Sequence, residues 1–108
     1  MKRVVVVSGG FDPIHAGHIS LIKSAAELGD CLVVGINSDA WLARKKGSAF
    51  MPWYHRAEVI RNFKQVNEVM SWEDYDDTAI ALLDRVKREF PNSQIVFANG
   101  GDRTATNL

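Results

Sequence analysis

The chain has 108 residues, of which 46% are hydrophobic and 24% are charged, as is typical of one soluble globular domain. Thirteen Lys and Arg balance thirteen Asp and Glu, so the basic excess that general nucleic-acid and anionic-membrane binders need is missing. The four apolar residues before Ser8 are too few for a signal peptide or a membrane span, and the single cysteine fits a reducing compartment, so we expect a cytoplasmic protein.

The first half of the chain alternates apolar runs with helical periodicity. A valine run at residues 4–7 predicts a strand that is buried on both faces of a parallel sheet. Residues 19–28 show helical spacing, with Gly29 as a natural C-cap, and residues 32–36 predict a second strand. The Ser-Asp pair at 38–39 predicts the start of a short helix.

The second half continues the alternation. A helical segment follows Pro52, with Val59, Ile60 and Phe63 on one side, and residues 68–71 are a weaker strand candidate. An apolar stripe predicts a longer helix, and it consists of Ile80, Leu83, Val86 and Phe90. The acidic run before this stripe is interpreted as helix capping. Residues 95–98 predict the last strand.

This order of elements predicts the fold class. Strand–helix alternation favours an α/β, Rossmann-like, doubly wound parallel sheet of four to five strands with helices on both faces. Residues 99–108 form a loop-like tail, where such a sheet normally adds another element. We therefore expect a single domain over residues 1–108 that lacks its C-terminal element.

The segment between the first strand and the first helix, residues 8–18, reads SGGFDPIHAGH. Gly9 and Gly10 let a ligand approach backbone N–H groups at the strand exit, and Gly17 does so at the positive end of the helix. His15 and His18 are spaced to share one side of the first turn, where imidazoles can donate to phosphate and can be cationic near neutral pH. Together these groups predict a polyphosphate site that stabilises charge as a phosphorus centre reacts.

Other interpretations of this segment fit less well. The glycine spacing does not match the dinucleotide fingerprint, and no G-K-[ST] sequence makes a P-loop. A metal site from His15, His18 and Asp12 lacks the i, i+4 histidine pair of metalloprotease helices, so no protein-held metal is expected. The structural alternative is an inert turn in which both histidines only cap the helix or face solvent.

The sequence GGFDPIHAGH resembles the signature of the cytidylyltransferase-like nucleotidyltransferases, whose hallmark is H-x-G-H after the first strand. Glycerol-3-phosphate cytidylyltransferases and heptose-phosphate adenylyltransferases carry close versions. The similarity continues through the segments LVVGINSD, RKKG, VNEVM and NGGD. The resemblance implies an enzyme that transfers CMP or AMP from a nucleoside triphosphate to a small phosphorylated acceptor, a polyol or sugar phosphate, and releases pyrophosphate. Mg²⁺ would be carried with the triphosphate, CTP and ATP both stay open, and a homodimer, common among these relatives, is one implied assembly.

The resemblance also implies residue roles. The residues that would contact phosphates in catalysis are His15, His18 and Lys46. Those that would line the nucleotide are Gly9, Gly10, Phe11, Gly17, Gly101 and Asp102. Those that would face the acceptor are Asp12, Asp39, Lys45 and Arg56.

Structural alternatives stand beside these roles. Residues 44–46 form a charge run, which usually means only a solvated basic face. Asp39 is as good a candidate for the helix N-cap as for a ligand contact, and Arg56 can be a surface residue. The tryptophans, Trp41, Trp53 and Trp72, are expected to serve packing rather than base stacking. At the level of the whole protein, a nucleotide-binding module without catalysis and a purely structural domain are the alternatives to an enzyme.

Overall fold

The computed structural model describes residues 2–98 and, as backbone only, residues 105–107. These residues form one sheet in the order β3-β2-β1-β4-β5, with strands β1 (Lys2–Gly9), β2 (Cys31–Ile36), β3 (Glu68–Met70), β4 (Ser93–Ala98) and β5 (Ala105–Asn107). The first four strands are parallel, as predicted. The tail is not all loop, however, because β5 pairs antiparallel with β4 and covers its edge.

Helices cover both faces of the sheet, which confirms the doubly wound architecture. The helices are α1 (Ala16–Ala26), α2 (Asp39–Lys46), α3 (Trp53–Arg61) and α4 (Ile80–Glu89). Successive side chains of a strand point to opposite faces, so Val5 and Val7 pack on the side of α1 and α3, while Val4 and Val6 pack on the side of α4. All four valines are fully buried, which explains why β1 is a continuous apolar run.

The first helix begins earlier than its apolar spacing predicts. His15 supplies the N-cap, so α1 starts at Ala16, and Gly17 and His18 belong to its first turn. The helix ends at Ala26 with Glu27 as the C-cap in a right-handed conformation, so the prediction of Gly29 as C-cap is wrong. A Cβ atom at Gly29 would lie 2.7 Å from the Arg3 carbonyl oxygen, so this glycine permits close packing of the turn against β1.

The two later helices also differ from prediction in which residues they bury. Ile80 is 61% exposed, because Leu82 and not Ile80 packs over the bare backbone of Gly35. The acidic run lies in the loop before α4, and no acidic residue occupies the first turn of that helix. In α3, the buried side chains are Arg56, Ala57 and Ile60, and Val59 is exposed. No helix in the described part of the chain is long and apolar enough to cross a membrane.

Candidate active site

The carboxyl ends of β1 and β2 place the predicted site at one edge of the sheet. After β1, the chain turns through Phe11, whose φ of +51° is unusual for a non-glycine residue. The Phe11 ring is buried and meets the His18 ring edge-on at a centroid distance of 4.9 Å. Residues 8–18 are called the histidine turn below. Phe11 anchors this segment in the core, and the segment leads into α1 at the edge of the sheet.

The two histidines form a stacked pair, and each ring accepts a hydrogen bond from the backbone at the start of α1. Nδ1 of His15 accepts from the Gly17 backbone N–H at 3.0 Å, and Nδ1 of His18 accepts from the His15 backbone N–H at 3.1 Å. The two rings lie 3.8 Å apart and are inclined by 26°. Because each Nδ1 must carry a lone pair, a neutral ring carries its proton on Nε2. The pair therefore caps the helix on one side and offers N–H donors on the other.

The charge state of His18 follows from its surroundings. Partial burial lowers the pKa of His18, and repulsion from His15 lowers that pKa further. Near pH 7 the His18 ring is therefore neutral, although the sequence allows a cation there. As a neutral Nε2–H donor it can still hydrogen-bond to a phosphate oxygen.

Neighbouring side chains pack closely against the glycines of the motif. A Cβ atom at Gly17 would lie 2.9 Å from Cε1 of His15, and one at Gly10 would lie 2.9 Å from Cδ2 of Leu42. A Cβ atom at Gly9 would come within 3.3 Å of the Phe11 ring. The absence of side chains therefore lets the histidine ring fold back over the helix and lets α2 pack against the strand exit.

Asp12 holds the loop between α2 and α3. Its carboxylate is 1% exposed and accepts from the backbone N–H groups of Phe50 at 2.6 Å and Met51 at 2.7 Å. The Lys46 ammonium lies 3.1 Å from the same carboxylate and donates to the Asp12 carbonyl oxygen at 2.7 Å. Burial alone would raise the pKa of Asp12, but these hydrogen bonds outweigh it and lower that pKa. The structure thus brings Asp12 and Lys46 together beside the histidine turn.

Arg56 and Asp39 form a second buried tie. The Arg56 side chain is 0% exposed and donates through Nη2 to the half-exposed Asp39 carboxylate. Its other N–H groups donate to the carbonyl oxygens of Met51 at 2.9 Å, Gly10 at 2.9 Å and Asn37 at 2.7 Å. The alternative that Arg56 is a surface residue is wrong, because its buried side chain joins the loops that follow β1 and β2.

The remaining basic residues of α2 are also paired. Arg44 bonds to the Asp77 carboxylate at 3.0 Å, and Lys45 lies 3.7 Å from it. The Lys45 ammonium also lies 5.5 Å from the centre of the Trp41 ring. Arg44, Lys45 and Asp77 all stay partly exposed. The start of α2 corrects a prediction, because the Ser38 hydroxyl accepts from the Trp41 N–H at 3.0 Å and is the N-cap, while Asp39 is turned to Arg56.

A cavity of about 270 Å³ opens at the carboxyl ends of β1 and β2, and neither His15 nor His18 is among its lining residues. Its wall begins at Ser8 and Gly9 and includes Asn37, Trp41, Trp72, Asp77 and Thr78. Two of the three tryptophans therefore line this cavity, whereas Trp53 packs against the core and donates to the Ile36 carbonyl at 2.9 Å. The cavity combines two indole rings with amide, hydroxyl and carboxylate groups, a mixture suited to a small polar ligand.

Asp74 was missed by the sequence interpretation. It is buried, and its carboxylate accepts from the Asn37 amide at 3.0 Å and from the backbone N–H and hydroxyl of Ser38 at 2.8 and 2.7 Å. Burial would raise the pKa of Asp74, but these bonds more than offset it and lower that pKa. Nothing local distinguishes Asp74 from Asp76 and Asp77, so no sequence signal could have found it.

The last predictions to compare with the structure are two nucleotide-binding positions and a metal site. Gly101 and Asp102 lie outside the described residues. Within the described residues, no group of three or more His, Cys, Asp or Glu is arranged to hold a metal ion. The site is thus defined by the histidine pair, the Asp12–Lys46 and Arg56–Asp39 ties, and the cavity.

Comparison with known proteins identifies the family. A model of the cytidylyltransferase-like family matches residues 6–107. The chain belongs to the cytidylyltransferase-like family. The resemblance to this family is therefore confirmed.

Curated relatives agree with this assignment, and one solved structure shares the fold. The chain is similar to proteins called bifunctional protein HldE: 37% identical over 103 residues (94% of the chain) in Nitratiruptor sp., and 37% identical over 107 residues (97% of the chain) in Streptomyces coelicolor. It spans only 21% of the length of each. A lipopolysaccharide core biosynthesis protein from Thermoplasma volcanium has the same fold, with a TM-score of 0.69, 20% identity, and coverage of 96% of this chain and 100% of that one.

Proposed function

We propose that this cytidylyltransferase-like domain transfers a nucleotidyl group from CTP or ATP to a small phosphorylated acceptor and releases pyrophosphate. The observation that carries the proposal is the histidine pair at the N-terminus of α1. Both Nδ1 atoms accept from backbone N–H groups, so the Nε2–H groups are held in fixed positions at the N-terminus of α1. Fixed donors of this kind stabilise charge as it develops on phosphate oxygens.

In the proposed reaction, an oxygen of the acceptor phosphate attacks the α-phosphorus of the nucleotide in line. The bond from this phosphorus to the bridging oxygen breaks, and pyrophosphate leaves with that oxygen. No covalent enzyme intermediate is required, because positioning and charge stabilisation suffice for this chemistry. We propose that His15 and His18 donate to the nucleotide phosphates, that Lys46 adds positive charge, and that Mg²⁺ arrives as part of the nucleotide complex.

We assign the acceptor to the cavity beside Gly9. Its volume of about 270 Å³ lies just below the 300–1,000 Å³ typical of sites for drug-sized ligands, so it suits a polyol or sugar phosphate better than a whole nucleotide. In its wall, the Asp77 carboxylate forms ion pairs with Arg44 and Lys45, so two cations lie next to the cavity. A phosphorylated acceptor can compete with Asp77 for these cations. Action in the cytoplasm and assembly as a homodimer are proposals of the same kind, tested by fractionation and by sedimentation.

The test measures pyrophosphate release with CTP and with ATP against a panel of polyol and sugar phosphates. The informative variants are His15→Asn and His18→Asn, because an asparagine oxygen can replace Nδ1 as the helix-capping acceptor but supplies no Nε2–H. We expect turnover to fall at least about 100-fold in each variant, with a melting temperature close to that of the parent chain. Wild-type turnover in His18→Asn would refute the proposal. A nucleotide-dependent melting shift without pyrophosphate for any acceptor would instead indicate a binding module.

A further inference from the structure

Asn37 is held from three directions at the edge of the cavity. Its backbone N–H donates to the Gly9 carbonyl at 2.9 Å, and its own carbonyl accepts from Arg56 at 2.7 Å. Its side-chain amide donates to the buried Asp74 carboxylate at 3.0 Å. The residue is only 6% exposed, yet it lines the cavity. These three hydrogen bonds hold Asn37 in one position at the cavity.

The orientation of the Asn37 amide is fixed by chemistry. An ionised carboxylate can only accept hydrogen bonds, so the amide nitrogen, and not the oxygen, must face Asp74. The oxygen Oδ1 then points away from Asp74, and none of residues 2–98 donates to it. Since every fully buried side-chain nitrogen or oxygen among these residues has a partner, Oδ1 is exposed where Asn37 lines the cavity.

We propose that Asn37 binds the acceptor through Oδ1, which accepts a hydrogen bond from one acceptor hydroxyl group, and that Asp74 is the positioning residue that aims it. This inference rests on the proposed function and adds the rule by which the cavity selects its substrate. Phosphorylated compounds with a hydroxyl at the matching carbon are taken, and their deoxy analogues are rejected. A donor is required at that point because a bound ligand without one would leave Oδ1 buried and unpaired.

The experiment uses the protein expressed from its complete reading frame. The probes are glycerol 3-phosphate and hexose 1-phosphates, each compared with its monodeoxy analogues, and the readout is kcat/KM for pyrophosphate release. For the wild type, we expect one deoxy analogue to lose about tenfold or more relative to its parent compound. In Asn37→Ala this ratio should fall to about one, while the ratios for the other deoxy analogues stay unchanged.

Two further variants separate positioning from general damage. Asp74→Asn should also collapse the ratio, because an amide in place of the carboxylate no longer dictates which end of Asn37 faces the cavity. Asn67→Ala is the matched control: Asn67 Oδ1 accepts from the Leu32 N–H at 2.8 Å, at the opposite end of β2, so its loss should leave every ratio as in the wild type.

The outcomes are distinct. If Asn37→Ala and Asp74→Asn still reject the same deoxy analogue as strongly as the wild type, Asn37 does not contact the acceptor. A change in CTP-to-ATP preference in place of the acceptor ratio would place a nucleobase there and overturn the inference while leaving the proposed function intact. Absence of pyrophosphate from the wild type with every pair of substrates would overturn the proposed function itself.

Discussion

Gly17→Ala separates the structural and the chemical roles of the histidine turn. The added Cβ atom would lie 2.9 Å from Cε1 and 3.2 Å from Nδ1 of His15, closer than side chains normally approach. The His15 ring must swing away, and the capping bond to the Gly17 N–H is lost. Loss of an N-cap costs about 1 kcal/mol, and Gly-to-Ala replacement within a helix returns about 0.5–1 kcal/mol. The free energy of unfolding should therefore change by less than about 1 kcal/mol.

Activity should respond very differently from stability in this variant. A displacement of about 1 Å in a positioned catalytic group can cost about 100-fold in rate, so we expect kcat for pyrophosphate release to fall by about that factor. Gly47→Ala is the opposite control, because Gly47 has a φ of +95° and a Cβ atom there would meet nothing within 4 Å. That variant should lose about 1 kcal/mol of stability through backbone strain and keep its kcat. Full activity in Gly17→Ala would show that the ring position of His15 does not matter.

Three further predictions concern ionisable side chains that are buried or partly buried. Burial and repulsion from His15 lower the pKa of His18 below 6.5, so just below pH 6.5 the unfolded chain binds more protons than the folded chain. The free energy of unfolding should therefore fall as the pH drops below 6.5. Thermal melts should show this decline in the wild type and not in His18→Asn. Asp12→Asn leaves one of the two backbone N–H groups, of Phe50 or of Met51, without an acceptor. The free energy of unfolding, measured by urea titration, should fall by about 2 kcal/mol. An unchanged urea midpoint would contradict the hydrogen bonds from Phe50 and Met51 to Asp12. Arg56→Lys should cost about 3 kcal/mol with less than about a threefold change in acceptor KM, measured by urea unfolding and by initial rates.

The parts of the fold that were predictable are those whose signal is local. The valine run of β1 could only be a strand buried on both faces, and the structure buries residues 4–7 completely. Helix ends were less predictable, because a histidine is not a usual N-cap residue and its capping bond is seen only when the ring is placed. The exposure of Ile80 likewise depends on a contact between Leu82 and Gly35 in another element.

In the candidate site, too, the sequence predicts the parts that are contiguous in the chain and not the contacts between distant residues. The histidine turn is contiguous in sequence, so its spacing could be recognised as a motif. The ties around it join residues far apart in the chain: Asp74 and Asn37 are 37 positions apart, and Asp12 and Phe50 are 38. No periodicity or composition reports which of several carboxylates will meet which amide after folding. Asp74 was therefore indistinguishable from its neighbours until the sheet brought β2 and β3 together.

Arg56 shows how a correct expectation of charge can mislead about position. A basic residue next to a phosphate-binding motif suggests a ligand contact, and sequence alone gives no reason to bury it. The structure uses its guanidinium fork to hold three backbone carbonyls and one carboxylate. A planar group with five donors is the side chain that can satisfy so many acceptors at once, and an ammonium with three rotatable donors cannot. We therefore expect Arg56 to influence binding of the proposed acceptor through the loops that it joins, and lysine at this position should weaken the fold before it weakens binding.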